Sequence, residues 1–244
     1  MIKRRYSWKP DLIDQRDYIY KPKLRFFSPK KVDLRKYCSK IEDQLDLGSC
    51  TSQALAGNIE LLDKKIDGVY TDVSRLFIYY NERKIEGCVN IDSGAYIRDG
   101  IKSLKRWGVC DEELLPYDIS LFKQEPSPEC YKQALSRRIS VYERIRDVSG
   151  MIACLAEGFP VVFGIAIYES FESEEVKRTG IVPIPAKYET MMGGHCMLAV
   201  GYDTKERRFI VRNSWGDEWG DSGFCYIPFR YVEKFGDDLW TVKK

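Results

Sequence analysis

Gln44-Leu45-Asp46-Leu47-Gly48-Ser49-Cys50-Thr51-Ser52-Gln53-Ala54-Leu55 joins a turn-forming stretch to the start of an apolar stripe. Leu55, Ile59, Leu62 and Ile66 recur at steps of four, three and four, one face of an α-helix. Ser49 is placed to cap this helix and Gly68 to end it. Cys50 therefore falls in the first helical turn, where the partial positive charge of the N-terminus lowers a thiol's pKa. A buried, inert cysteine is the ordinary alternative. Cys50 needs partners elsewhere in the chain before it counts as a nucleophile.

Working outward, a second helical stretch is expected through Tyr96, Ile97, Ile101 and Leu104, ending at Trp107-Gly108. Pro116, Pro126 and Pro128 then break the chain. Beyond them come β-type segments: Val161 to Ile167, Met197 to Tyr202, Phe209 to Arg212 and Gly223 to Ile227. Asp203-Thr204-Lys205-Glu206 supplies a hairpin turn between two of these. A helical first half and a sheet-rich second half read as an α+β protein of two packed lobes, with ligands favoured at their junction. Residues 1–31, with Tyr6, Trp8, Tyr18, Tyr20, Phe26 and Phe27 but no periodicity, read as an irregular arm.

The 244 residues are 44% hydrophobic and 31% charged with a net charge of +2, which fits neither a disordered chain nor a dedicated nucleic-acid binder. No run approaches the roughly 18 apolar residues of a membrane-spanning helix. Met1-Ile2-Lys3-Arg4-Arg5 is basic, but no apolar run follows, so a signal peptide is not expected. The eight cysteines contain no C-x-x-C pair, which argues against a structural zinc site, and reduced thiols are expected. The chain has one histidine, His195, so a side-chain proton shuttle near neutral pH falls to it or to a tuned acid, Lys or Cys. His195 is followed by an apolar strand, and the expectation places it at that strand's beginning. Asn213 ends the next strand, where a hairpin would set its amide beside the imidazole.

Together these residues resemble the papain-like cysteine peptidases. Gln44 stands six residues before Cys50 within Gln44 to Cys50, Gly193-Gly194-His195 precedes Leu198 to Tyr202, and Asn213-Ser214-Trp215-Gly216 precedes Trp219 to Phe224. Ser93-Gly94-Ala95-Tyr96 and Trp107-Gly108-Val109 with Leu115-Pro116-Tyr117 match further segments in family order. The likeness runs from Val32 to about Phe235. It implies a two-lobed fold with a helical N-terminal lobe, an antiparallel β-barrel-like C-terminal lobe and a cleft between them. The lobes are expected at about 32–110 and about 111–235, within a peptidase domain of 32–244 behind the arm.

The resemblance assigns Cys50 as nucleophile, His195 as general base and then acid, Asn213 as orienter of the ring and Gln44 as donor to the oxyanion. It also implies substrate contacts by Gly94, Ser93, Tyr96, Cys196 and Trp215, the last shielding the His195–Asn213 bond from water. No metal and no cofactor are expected. Peptides or proteins are the expected substrates of a monomeric enzyme without nucleic-acid or membrane partners, in the cytoplasm or associated with a virion. A non-catalytic binding module and another Cys–His acyl-transfer enzyme compete with this reading. Retention of Cys50, His195 and Gln44 disfavours the first, and the Asn213 to Gly216 block disfavours the second.

Three departures stand out. Leu47 and Thr51 occupy positions where the family signature has Cys and Trp or Tyr. The usual disulfide partner of the first falls on Ile91, so an apolar Leu47–Ile91 contact is expected in its place. Gly194 stands where a polar residue usually precedes the histidine. Finally, Trp8-x-Pro10-Asp11-x-x-Asp14-x-Arg16-Asp17-Tyr18 resembles the short leaders of compact bacterial and viral members. Residues near Ser7 to Tyr20 are expected to lie on the cleft and block it, as a zymogen would be blocked.

Overall fold

The computed structural model describes residues 4–23 and 28–244, so Phe26 and Phe27 of the expected arm, and Met1, lie outside the described residues. After a short strand β1 (Lys31–Asp33), three helices follow: α1 (Cys50–Ile66), α2 (Arg75–Glu86) and α3 (Ile97–Arg106). Then come α4 (Pro128–Ala134), β2 (Val141–Ile145), α5 (Val148–Ala156), β3 (Val161–Tyr168) and α6 (Glu174–Thr179). The chain closes with β4 (Met191–Asp203), β5 (Arg208–Arg212), β6 (Phe224–Pro228), α7 (Phe229–Phe235) and β7 (Gly236–Lys243). The strands form an antiparallel sheet in the order β2-β7-β3-β4-β5-β6, with β1 also paired to β4. The fold is α+β, helices first and sheet after. No helix among the described residues is long and apolar enough to cross a membrane.

The central strands are apolar at nearly every position because both faces are covered. Val162, Cys196, Leu198, Val200, Ile210, Trp240 and Val242 pack with α1 to α4 in one core. Their neighbours Val161, Phe163, Ile165, Met197, Ala199, Val211 and Leu239 pack with α5 and α7 in another. The two-residue period of a strand deals successive side chains to opposite faces. The helical core also takes in Leu115, Cys130, Ala134 and Ile139, past residue 110, and the sheet continues past residue 235 through β7.

α1 runs where its stripe places it, but it is buried on all sides from Cys50 to Asp63, whereas Ile66 is exposed. Ser49 sits at its N-cap without capping; its hydroxyl instead meets the Tyr117 hydroxyl at 2.6 Å. α2 has no counterpart in the sequence expectation. Its buried face carries Arg75, Asn81, Glu82 and Arg83, which erase the apolar period, yet Ser74 accepts from the Phe77 N–H and left-handed Gly87 ends it. Arg83 is affordable inside because its guanidinium donates to the carbonyls of Tyr79, Val89 and Phe122. All eight cysteines are free thiols.

The expected Leu47–Ile91 contact is not what fills the place of a disulfide. Leu47 is buried, but Ile91 is 62% exposed. The neighbouring Asp92 joins the two loops instead, accepting from the Gly48 N–H at 3.0 Å and from the Tyr79 hydroxyl. Tyr79 in turn accepts from the Gly94 N–H at 3.3 Å. A charge-assisted hydrogen-bond bridge does here what an apolar pair could not, because a carboxylate can satisfy a buried loop N–H.

Candidate active site

Cys50 opens α1 on the helical side of the cleft, and its sulfur is wholly buried. The Ser7 hydroxyl lies 4.0 Å from it, and the Cys196 backbone N–H also faces it. His195 lies inside β4, as its fifth residue, paired with Ile165 of β3. It is not at the strand's beginning, because β4 extends back through Met191 to Gly194. The hairpin register, with Leu198 opposite Arg212, carries Asn213 back alongside His195. Imidazole Nε2 and Asn213 Oδ1 are 2.8 Å apart, and the Ser214 N–H also donates to that oxygen at 2.9 Å. An acceptor at Nε2 holds the proton there in the neutral ring. Nδ1 is left without a hydrogen-bond partner among the described residues.

Trp215 stacks on the imidazole at 4.9 Å and 22°, and Trp219 and Phe171 meet Trp215 edge-on behind it. Gln44 is buried on the other side. Its amide nitrogen donates to the Leu47 carbonyl at 3.1 Å, and its amide oxygen accepts from the Ser214 hydroxyl at 2.7 Å. Ser214 thus fixes the orientation of the amide, whose nitrogen the resemblance assigns as a donor to the oxyanion. Gln44→Ala is expected to lower kcat by roughly 10²–10³, the usual cost of one such donor, with little change in melting temperature. Steady-state kinetics beside a thermal melt checks this.

The sequence reading expected the helix N-terminus to lower the Cys50 pKa. In this conformation burial wins, pushing the thiol up to about 11, against the hydrogen bonds it receives. Burial also pushes His195 down to about 4, with the Arg4 charge adding to the fall and Asn213 opposing it. Both shifts favour the neutral forms, thiol and imidazole. Ser7 of the arm lies against the sulfur, and Tyr6 and Arg4 lie against the imidazole and the Trp215 ring that covers it.

Residues 6–9 lie along the cleft between its two walls. The Trp8 N–H donates to the Gly194 carbonyl at 3.0 Å, and Lys9 bridges Tyr96 on the opposite wall. Ser7 donates to the Gly48 carbonyl at 2.9 Å. Arg4 lies 4.1 Å over the Trp215 ring and pairs with Glu172, which also accepts from the Tyr6 hydroxyl. Trp8 is 8% exposed. Glycine is needed where the arm passes: a Cβ on Gly94 would come within 1.9 Å of the Ser7 carbonyl oxygen, and one on Gly164 within 1.9 Å of the Trp8 ring. Gly194, the departure noted in the sequence, makes room for Trp8 in the same way.

Gly94, Tyr96 and Trp215 therefore border the cleft, where the arm touches each of them. The Ser93 hydroxyl turns to its own neighbours, the Gly94 carbonyl and the Cys88 sulfur. Cys196 is 1% exposed, packed in the core beside Cys50. Sequence reasoning missed Tyr79, Asp92 and Ser214, which position the loops and the Gln44 amide. Ser214 stood inside a quoted motif and Asp92 beside one, whereas Tyr79, within α2, gave no local signal.

A model of the papain family of cysteine proteases matches residues 28–234, and the chain belongs to that family. An uncharacterized peptidase C1-like protein of Acanthamoeba polyphaga mimivirus is 41% identical over 227 residues, covering 88% of this chain and 73% of that protein. Cysteine proteinase 3 of Entamoeba histolytica is 27% identical, and the chain spans 63% of its length. Among solved structures, xylellain, a cysteine protease from Xylella fastidiosa, is 40% identical with a TM-score of 0.90, covering 100% of this chain and 99% of that one. The Carica candamarcensis protease in complex with E-64 shares the fold at 18% identity, with a TM-score of 0.66 over 88% of this chain and 99% of that one.

Proposed function

We propose that this cysteine peptidase hydrolyses peptide bonds through a Cys50 thioester, and that its own arm occupies the cleft and holds it inactive. The observation that carries the chemistry is the His195 ring, tied at Nε2 to Asn213 with Nδ1 left unpartnered. Once the cleft is wet, Nδ1 takes the Cys50 proton and the thiolate attacks the substrate carbonyl carbon. The C–S bond forms as the carbonyl π electrons move to oxygen, and the resulting oxyanion accepts hydrogen bonds from the Gln44 amide and the Cys50 N–H. The imidazolium then gives its proton to the departing amine as the C–N bond breaks. Water, deprotonated by His195, attacks the thioester and releases the acid and the Cys50 thiol.

The arm's direction supports the second part. His195 must protonate the leaving amine, so the departing half of a substrate lies on the His195 and Trp215 side, and the acyl half lies toward Gly94 and Tyr96. The arm runs the other way, from Arg4 and Tyr6 at Trp215 to Lys9 at Tyr96. Its backbone is reversed relative to a cleavable peptide, so it can fill the cleft without being cut.

The test uses a fluorogenic peptide panel with an epoxide peptide of the E-64 kind. The arm-truncated chain is expected to turn over the peptides and to carry one label, on Cys50. A truncated, folded chain that neither cleaves nor labels would refute the reading.

A further inference from the structure

Beyond residue 9 the arm leaves the cleft and settles against α3, β2 and β7, and the groups it meets there are charged and buried. The Asp11 N–H donates to Asp238 Oδ2 at 2.6 Å. Asp11 itself accepts from the Arg98 backbone N–H at 3.1 Å and from the Trp240 indole at 2.9 Å. Arg144 of β2 donates to Asp238 Oδ1 at 2.7 Å and lies 3.6 Å from Asp17 and 3.9 Å from Asp11. Arg98 of α3 pairs with Asp17 at 2.7 Å. The arm then pairs with β2 itself, through Tyr18 and Tyr20 on either side of the Arg144 backbone.

The charges in this cluster do not balance. Asp11, Asp17 and Asp238 have side chains 0%, 9% and 0% exposed, and among the described residues Arg98 and Arg144 form ion pairs with them, while Arg16, 87% exposed and paired with Asp14, acts on Asp17 only from a distance. Three buried carboxylates against two guanidiniums leave one negative charge in excess. Asp237 also touches Arg144, but it is 62% exposed and solvated. Asp14 of the arm is engaged by Arg16, and Cys196 of β4 is a buried thiol that burial keeps neutral. No further cation among the described residues pairs with the cluster. A surplus carboxylate in a dry site is neutralised by a proton.

We propose that Asp11 and Asp238 form a proton-operated latch for the arm: docking captures one proton between them, so the arm is gripped in acid and eased as the pH rises to neutral. This rests on the reading of the arm as the plug of the cleft. The arm supplies one carboxylate of the pair and the body supplies the other, so the surplus exists only in the docked state. The proton belongs to the pair rather than to either residue. Both carboxyl groups are accordingly shifted upward by burial first, and Asp238, with the neighbouring Asp11 charge adding to its rise, reaches about 7.

The sign follows from linkage. With the arm undocked, the carboxyls return toward the ordinary value near 4. Between about pH 4 and about pH 7 the docked state holds one proton more, and docking weakens with rising pH by up to about tenfold per unit. Above about pH 7 both states are deprotonated, and the dependence levels off.

The test is amide hydrogen exchange of Trp8 and Tyr20 in the full chain, whose N–H groups donate to the Gly194 and Arg144 carbonyls. Protection, normalised to intrinsic rates, is followed from about pH 4.5 to about pH 8.5. It is expected to fall by close to tenfold per unit up to about pH 7 and then to level off. Asp238→Asn and Asp11→Asn should each flatten the profile. Asn tolerates the left-handed backbone that Asp238 adopts, at φ 52°, so the first variant keeps the local conformation. A flat profile in the native chain, or an undiminished slope in both variants, would overturn the latch. If exchange behaves as expected but the truncated chain is no more active, the latch stands and the plug reading falls.

Discussion

Cys50→Ala is expected to remove peptide turnover, a loss of roughly 10⁶ in kcat on the scale seen when a protein nucleophile is deleted. The comparison belongs in the arm-truncated chain, where the cleft is open. Alanine at each of the other seven cysteines should leave most of the activity. Cys110, Cys130, Cys154, Cys196 and Cys225 are buried, and their replacement should cost stability before it costs rate. Cys196 is the demanding control, because its backbone N–H faces the Cys50 sulfur while its own thiol lies in the core. His195→Ala should fall nearly as far as Cys50→Ala. Asn213→Ala should lose less, since an orienter tunes a base that is still present. Cys196→Ala as inactive as Cys50→Ala, at normal folding, would reverse the assignment of the nucleophile.

Deleting residues 1 to 27 should raise kcat/KM on a small fluorogenic peptide at least tenfold, compared at equal active-site titre. Two effects add. The deletion takes Trp8 out of the space against Gly164 and Gly194, and Tyr6 and Arg4 off Trp215, so a substrate can enter. It also lets water reach the catalytic pair. Burial is the largest cause of both shifts, so rehydration lowers the Cys50 thiol from about 11 and raises His195 from about 4. Both changes favour the thiolate–imidazolium form, and alkylation of Cys50 at neutral pH should quicken with them. Because Trp8 and Tyr20 are buried in the cores, the deletion should also lower the melting temperature. Trp8→Ala in the full chain provides a gentler version and should move activity the same way by a smaller factor. Equal activity of full and truncated chains would make the arm a tail.

The parts of the fold that were legible share one property: their signal is local. α1 and α3 announced themselves by apolar spacing, and β3 to β6 by apolar runs bounded by turn residues. α2 and β7 did not. In α2 the helix face is filled by Arg75, Asn81, Glu82 and Arg83, whose burial depends on partners from other segments: Glu42 and Glu112 for Arg75, the Tyr131 hydroxyl for Asn81, the Thr51 hydroxyl for Glu82 and the Phe122 carbonyl for Arg83. β7 begins with Gly236-Asp237-Asp238, which reads as a turn, and becomes a strand because β2 and β3 lie on either side of it. Ile91 was misjudged for the same reason. The loop's tie to Gly48 runs through Asp92, one residue on, and only the approach of the two loops shows it.

The candidate site divides along the same line. A single histidine, a cysteine six residues after a glutamine, and an asparagine ending a hairpin strand name the chemistry before any coordinates exist, because reactivity begins with residue type. The sequence alone also marked the arm as aromatic and ill-suited to water. Only the tertiary structure decided which way that arm runs, what it touches, and that burial shifts Cys50 and His195 toward their neutral forms. The helix terminus that should activate the thiol is a short-range, sequence-encoded effect, while the burial that overrides it is produced by segments more than forty residues apart. Solvation is a property of everything packed around an atom, so it is settled by the folded chain as a whole.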